Sequence, residues 1–577
     1  MSSYAATVIN LDDLCKADLS LLNQVADEIR ESYIDLIATA SKGLENNIYW
    51  QVSSVASRDP YMGRLYMRCC LLVLIKKIWL SGRNVERIVL SDKPLAKALG
   101  QLAEQHNITC TIEFKTIDSW WSRSKKRFIY QFATSIWHLL HRFVASMGKR
   151  QHYQIKEPIT LLDMFVLGCD APMLGMIFNG RYHDRYYPGL IDELNSQEKK
   201  AVYYLPSLTK SMKFSKIFPL LRSAEQQFMV IDDFLKPQDY FAALLYPFKT
   251  WQIAIPQTRF HKVDISPLII SEIRGYSGNY SSISGLLNYF FSRRLQEEGV
   301  SVRLLIEWYE NQIIDRGMIA GFRKHCPETK ITGYQGFITA AKLLIQIRPT
   351  NADRDARLIP DSIAVIGRNL LKPVKEFCQD FETVVAPAFR FTELRRARQF
   401  HPDPEHFTVL VGLPIGRAEV VTIINTILAT TAEYTDSSVR YWIKPHPNFS
   451  VEQIKSMFDT AWPKSITFIT GNISDFIEQA DLFVSNASST CVEALTFGVP
   501  VIIIITPNSI SGNPIPKEIA KEMWRESIGI DDFIEAVKFY RSQDQETLLH
   551  NRKLGQKIIN DYFEPVTRAS VLHFLQL

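Results

Sequence analysis

Apolar and polar positions alternate in blocks along this chain. Through the first 80 residues the apolar positions recur at helical spacing, as in the amphipathic run 19–37. The stretch "ERIVLSDKPLAKALGQLAEQHNITCTIEF" then reads strand, loop, helix, strand. After residue 151 short apolar runs return. Strands are predicted at 159–168, 200–208, 227 onward (followed by a helix to 245), 301–312 and 329–337. Residues 347–361, "IRPTNADRDARLIPD", hold two prolines and six charges with little periodicity and read as a linker. Beyond it the alternation resumes through "SIAVIG", "EHFTVLVGLPIGRAEVVTIINTILATTAEY", "VRYWIKPHP", "SITFITGNISDFIEQA" and "DLFVSNASSTCVEALTFGVPVIIII". Strands alternating with helices imply parallel, doubly wound sheets. The fold class expected is therefore α/β, with two Rossmann-like domains facing a cleft, a helical N-terminal region and a basic aromatic insertion. The domains expected are an N-terminal α/β domain at 1–346, a linker at 347–361, a second α/β domain at 362–550, and a C-terminal helix at 551–577.

Composition narrows the class. At 577 residues the chain is too long for one core. Its 46% apolar and 22% charged content is that of a globular protein, and a net charge of +5 from 66 basic and 61 acidic residues is too dispersed to call for nucleic acid. The eight cysteines show no CxxC spacing and lie mostly in apolar segments, as reduced thiols of a cytoplasmic protein do. No basic n-region leads into an apolar stretch at the start, and no run of 18 apolar residues occurs. One segment stands apart. Residues 120–151, "WWSRSKKRFIYQFATSIWHLLHRFVASMGKRQ", interleave aromatic with basic side chains and contain no acid, which suits peripheral contact with the inner face of a membrane.

The candidate chemistry lies at predicted strand ends, where doubly wound sheets bind ligands. In "YWIKPHPNFS" each proline pushes the residue before it toward an extended conformation. Lys444 and His446, two apart, then point to the same side. In "DLFVSNASSTCVEALTFGVP" a strand, the polar turn Asn486–Ser489 and a helix from Thr490 follow one another. Ser488, Ser489 and Thr490 stand at a helix start whose N–H groups suit a phosphate. Glu493, about 6 Å further along the same helix, can accept from ribose hydroxyls. "GLPIGR" adds a third loop, with Arg417 opening a helix. No GxxxxGK[ST] occurs and no GxGxxG follows a strand, which argues against P-loop and dinucleotide enzymes. In the N-terminal half, Glu310 in "WYENQ" is the first choice of general base and Asp170, after the strand 159–168, the reserve. Glu307, three residues from Glu310, points to the opposite face. Arg274 and Ser277 form a polar loop suited to an acceptor or a sugar carboxylate. No DxD follows an apolar strand, and Asp353–Arg354–Asp355 falls in the linker, so no catalytic metal is expected.

These motifs carry a resemblance. The arrangement resembles the GT-B glycosyltransferases, and "KPHP" followed by "SNASST" is similar to the His-Pro and Ser-Ser motifs of CMP-sialic acid and Kdo transferases. The segments "WQVSSVASRDPYMGRLYMRCC" (50–70) and "EWYENQIIDRGMIAGFRKHCPETKITGYQG" (307–336) resemble a bacterial surface-carbohydrate biosynthesis family. The resemblance implies a nucleotide-sugar-dependent, metal-independent transferase. Its donor would be a CMP-linked acidic sugar and its acceptor a surface polysaccharide or lipid-linked glycan, with no further cofactor. It departs from the sialyltransferase pattern in lacking Asp/Glu–Asp/Glu–Gly where expected; Glu297–Glu298–Gly299 ends a polar helix instead. A UDP-sugar epimerase or UDP/GDP-sugar transferase of the same fold, and a non-catalytic scaffold of polysaccharide assembly, remain the alternatives.

Overall fold

The computed structural model describes residues 7–115, 120–148, 150–166, 177–178, 180–208, 214–276, 279–340, 342–396 and 405–577. Three parallel sheets organise them. The first is small: β1 (Thr7–Asn10), β2 (Val85–Leu90) and β3 (Thr111–Phe114), in that order. It packs with helices Lys16–Glu28, Arg30–Ala40, Leu65–Leu80 and Lys93–Gln105 around its own apolar core. The helical start therefore carries a sheet of its own, built on the strand–helix–strand reading of residues 85–114.

The second sheet contains β4 (Ile159–Val166), β5 (Val202–Leu208), β6 (Val302–Trp308), β7 (Lys330–Gln335), β8 (Ser362–Val365) and β9 (Glu382–Val385). Their spatial order is β9-β8-β7-β6-β4-β5, all parallel. Order reverses between β4 and β6, so the crevice of this sheet opens at their carboxyl ends. The third sheet contains β10 (Phe407–Gly412), β11 (Val439–Lys444), β12 (Ile466–Phe468), β13 (Leu482–Ser485), β14 (Val501–Ile504) and β15 (Trp524–Ser527). Its order, β12-β11-β10-β13-β14-β15, is that of a Rossmann sheet, with the switch between β10 and β13. The central strands of both sheets are buried on both faces, which is why they read as near-continuous apolar runs.

Three boundaries differ from expectation. Residues 362–385 do not open the second domain. Ser362 pairs with Thr332 and Glu382 with Ser362, so β8 and β9 complete the N-terminal sheet. Residues 347–361 are not a free linker either. They hold the short helix Asn351–Asp355, pinned because buried Asp353 takes ion pairs from Arg58 at 2.8 Å and Arg316 at 3.0 Å. The last strand of the second sheet ends at Val385 and the first of the third begins at Phe407. Residues 227–230 form a single bridge, Tyr204 to Phe228, and run straight into a 3-10 turn, because Asp232 and Asp233 must turn inward to meet Arg142 and Arg222.

The tail forms two helices, Gln545–Tyr562 and Arg568–Leu575. Glu564 pairs through its backbone with Ile366 and Ala388, and Phe574 packs on Tyr334 and Phe389 of the N-terminal half. The last helix thus crosses back onto the first large sheet. The N-terminal lobe also grips the third sheet: the Leu14 and Ser511 amides donate to Asn508 and Asn23 side chains at 2.7 Å each.

One packing contact fixes the position of the loop that follows β6. Helices Tyr280–Glu297 and Ile313–His325 approach so closely at Gly285 and Gly317 that a Cβ on Gly317 would overlap the Gly285 carbonyl. That backbone-to-backbone contact sets the start of the second helix, and with it residues 309–312.

Candidate active site

At the carboxyl end of β6 the strand leaves its ladder with Trp308 and turns at Asn311, whose φ is +51°. The turn is held from behind. The Asp315 carboxylate accepts from the backbone N–H groups of Glu310 at 3.1 Å and Gln312 at 2.9 Å, and the Asn311 amide donates to the Gln346 carbonyl at 2.7 Å. Glu310, partly buried, accepts from the Trp308 indole N–H at 3.0 Å and the Gln312 amide at 2.6 Å. Arg316 and Arg323 do not serve it; they pair with Asp353 and Asp361. Burial raises the Glu310 carboxyl above its ordinary range, opposed by those two hydrogen bonds and by the charge of Arg390.

Further acids surround this turn. Asp163 in β4 accepts from the Ser207 hydroxyl at 2.6 Å and the Trp308 N–H at 3.3 Å, and burial pushes it up to about 7. Glu307 lies within β6, one residue before Trp308. It is buried without a hydrogen-bond partner on either carboxyl oxygen, and burial reinforced by Asp315 and Asp163 holds it well above the usual carboxylate range. Asp59, from the N-terminal lobe, accepts from the Tyr61 and Met62 amides at 2.9 and 3.2 Å; burial, with Glu310 adding, pushes it up to about 6. Asp170 lies outside the described residues, as does Ser277. Arg274 is exposed at the end of helix Ser266–Tyr276.

Trp308 organises this wall. Its ring packs edge-on against Tyr186 at 4.8 Å and carries the Arg390 guanidinium 5.7 Å from its centre. The loop that brings Tyr186 is an Asx turn. Asp184 accepts from the amides of Tyr186 at 2.8 Å and Tyr187 at 2.9 Å and from the Tyr204 hydroxyl at 2.7 Å, which leaves Arg185 exposed between them.

The facing wall is the switch point of the third sheet. Lys444, last residue of β11, and His446 are both partly exposed, and Lys444 Nζ donates to the Pro445 carbonyl at 3.2 Å. The Asn448 amide donates to His446 Nδ1 at 3.2 Å, so a neutral imidazole carries its proton on Nε2. Burial lowers the His446 pKa, with Arg185 and Lys444 adding to the shift, and burial lowers Lys444 as well. In the next loop Ser488 and Ser489 are partly exposed, and the Ser488 hydroxyl accepts from the Thr490 amide at 3.3 Å. The Thr490 side chain hydrogen-bonds the Glu493 carboxylate, which burial raises against the opposing charge of Arg390.

Two details differ from the sequence reading. Ser489 makes no side-chain cap, and the helix it opens, Thr490–Thr496, is only seven residues long, so its dipole is weak. Asn486 is buried and does not face the cleft. Its amide donates to the Ile504 carbonyl at 2.6 Å and to the Thr506 hydroxyl at 3.0 Å, tying β13 to the end of β14. A small polar turn residue serves a strand tie as readily as a ligand, and sequence does not separate the two. Arg417 opens helix Arg417–Glu433 and is exposed, beside Glu419, which folds back over Gly416.

Three approaches join the walls. Arg185 bears on His446, Arg390 bears on both Glu310 and Glu493, and Tyr61 feels Glu310 from its own half and Glu419 from the other. Arg390 thus links Glu310 with Glu493 and Arg185 links the β4–β5 region with His446, while Lys444, Ser488 and Ser489 lie partly exposed at strand ends of the third sheet. Arg185 and Arg390 escaped the sequence reading. The only signals for them were basic residues among aromatics, "HDRYY" and "FRFTELRRARQF", with no periodic pattern. Among the described residues no cluster of metal-ligating side chains occurs.

Comparison with protein-family models and with curated proteins finds no match. Among solved structures, the chain is similar to Anabaena HepE in complex with UDP (8% identity, TM-score 0.39, 73% of this chain and 98% of that one). It is likewise similar to the lipopolysaccharide outer core galactosyltransferase WaaB (13%, 0.40, 73% and 99%) and to S. aureus MnaA with UDP (11%, 0.39, 73% and 98%). It spans 59% of the length of a further match, the GtfA/B complex (14%, 0.31, 50% of this chain). At these identities and scores the likeness says nothing of substrate, and the chemistry rests on this chain's own residues.

Proposed function

We propose that this protein is a glycosyltransferase that moves a sugar from a nucleotide donor onto a glycan acceptor. The observation that carries the reading is the placement of Arg390 within electrostatic reach of both Glu310 and Glu493. It gives one cleft an acid on the first wall and a nucleotide-sized set of polar groups on the second.

In this reading the donor lies against the β11 and β13 loops. Glu493 accepts from ribose hydroxyls, the Ser488–Ser489 turn meets the phosphate, Lys444 and Arg390 bring positive charge to it, and His446 donates a hydrogen bond. The acceptor hydroxyl attacks the anomeric carbon as the bond from that carbon to the phosphate oxygen breaks. Glu310 takes the hydroxyl proton, and its raised pKa makes it a stronger base than an exposed carboxylate. His446, donating through Nε2–H, and Lys444 meet the charge that develops on the departing phosphate. Arg417 is close enough in sequence to the β10 loop to extend this cationic rim.

The donor we favour carries an acidic sugar on CMP. Arg185, Arg390 and Lys444 supply more positive charge than one phosphate needs, and a sugar carboxylate would use the remainder. The acceptor would be a surface polysaccharide or a lipid-linked glycan. A calorimetric panel of CMP, UDP and GDP tests the donor. Binding of CMP with the others at least tenfold weaker supports the assignment. Preference for UDP or GDP overturns the donor and keeps the transferase. No binding by any of the three overturns both.

A further inference from the structure

The helix Trp120–Ser146 turns an apolar face outward. At 100° per residue, the described residues on that face are Lys126, Ile129, Tyr130, Ala133, Trp137, Leu140, Val144, Met147 and Gly148, all exposed and all but Lys126 uncharged. Tyr130 is 69% exposed, Val144 65% and Met147 66%. The opposite face, turned into the protein, mixes apolar with polar groups: Leu139 is buried there and Phe143 packs on Tyr240, but Ser135, His138, Arg142 and Ser146 are buried beside them. Arg142 reaches Asp232 through two hydrogen bonds of 2.7 and 2.9 Å, and His138 packs on Tyr280. An ordinary surface helix turns its apolar face inward. The polar anchor fixes the helix's rotation and so holds the apolar face outward.

The exposed apolar surface extends beyond this helix. Phe128 and Phe132 meet Trp251 and Phe248 on the neighbouring helix Tyr246–Trp251, where Phe248 and Trp251 are themselves exposed. Along the other edge Val144 and Ala145 line a groove of about 630 Å³ against helix Phe214–Ser223. Charge on this side has one sign. Residues 119–156 and 240–263 contain no Asp or Glu, while Lys126, Arg127 and Lys249 are exposed around the patch. No helix among the described residues is long and apolar enough to cross a membrane.

We infer that this face lies in the headgroup region of an anionic lipid bilayer. Trp137, Leu140, Val144 and Met147 insert about 5–10 Å, as interfacial helices do, while the rim cations meet lipid phosphates. Monotopic docking satisfies both features at once, since water is a poor neighbour for the apolar face and a protein surface would need to be strongly acidic at its rim. The inference stands apart from the catalytic reading, because none of these residues touches the cleft described above.

Flotation of the full-length protein with phosphatidylcholine vesicles, alone or containing a quarter phosphatidylglycerol, tests it. The variant W137D/V144D changes only exposed side chains and keeps Arg142 and Asp232. The expected result is flotation with the anionic vesicles, at least tenfold weaker for the variant and weaker again in high salt. A solvatochromic probe on Val144→Cys should shift to the blue on vesicle addition. Failure of the wild type to float, or equal flotation by the variant, overturns the proposal. So does a wild-type dimer in light scattering that W137D/V144D dissolves without any lipid binding, because a second copy would then be the occupant.

Discussion

The two switch points of this molecule bury opposite kinds of charge. At the carboxyl ends of β4 and β6 the ionisable groups are acids, and burial raises Asp163, Glu307, Glu310 and Asp315 together. At the ends of β10, β11 and β13 the prominent groups are Lys444 and His446, and burial lowers both. Burial thereby biases each wall toward its neutral form. A reaction that removes a proton on one side and releases an anion on the other uses that pair of biases. Glu310 gains basicity as it leaves the charged state less stable, and His446 retains a proton on Nε2 aimed away from Asn448. Arg390 and Arg185 couple groups on the two walls electrostatically.

The largest effect is expected at the acid wall. Glu310→Gln keeps the volume and can still accept from Trp308, but it cannot take a proton; kcat should fall by about 10²–10⁴-fold with little change in donor affinity. On the opposite wall, His446→Ala should lower kcat by about 10²-fold and weaken nucleotide binding as well. If both substitutions altered only donor affinity, the division of labour between the walls would be wrong.

A pH measurement sharpens the acid side. Asp59 is raised by burial, to about 6 from a model-compound value of 3.8. A carboxyl with a raised folded pKa favours folding below its unfolded pKa, and that contribution is lost as pH rises through the folded value. Asp59→Asn keeps the oxygen that accepts from Tyr61 and Met62. The variant should therefore gain on the wild type between pH 4 and pH 7, by on the order of 3 kcal/mol. A stability difference that does not vary with pH, read by chemical denaturation, would place Asp59 in water. The smallest effect on function is expected from Asn486→Ala. Loss of its two buried hydrogen bonds should cost about 1–3 kcal/mol of stability, while nucleotide affinity of the folded protein stays within twofold.

The cationic wall was the more legible of the two. Two X-Pro steps mark the strand end that carries Lys444 and His446, and strand–turn–helix punctuation marks Ser488 to Glu493; both are local patterns. The sheet that carries them also follows directly from alternating runs. The acid wall depends on contacts distant in the chain. Asp163 sits inside "TLLDMFV" and reads as one polar residue in a strand, and Asp59 belongs to another lobe. Arg390 lies in a crossover whose start was misplaced, because the charges of "NADRDAR" look solvent-facing until Arg58 and Arg316 are brought to Asp353. The basic aromatic helix was visible as a composition; that its apolar face points outward depends on the Arg142–Asp232 pair, which sequence does not supply.

The most direct test of a single shared cleft is nucleotide affinity in Arg390→Ala, measured by calorimetry beside His446→Ala. Arg390 belongs to the crossover and stacks on the N-terminal wall, so a donor held by both walls should bind about tenfold or more weakly in each variant. Unchanged affinity in Arg390→Ala, with binding lost in His446→Ala, would confine the nucleotide to the C-terminal sheet and contradict the account.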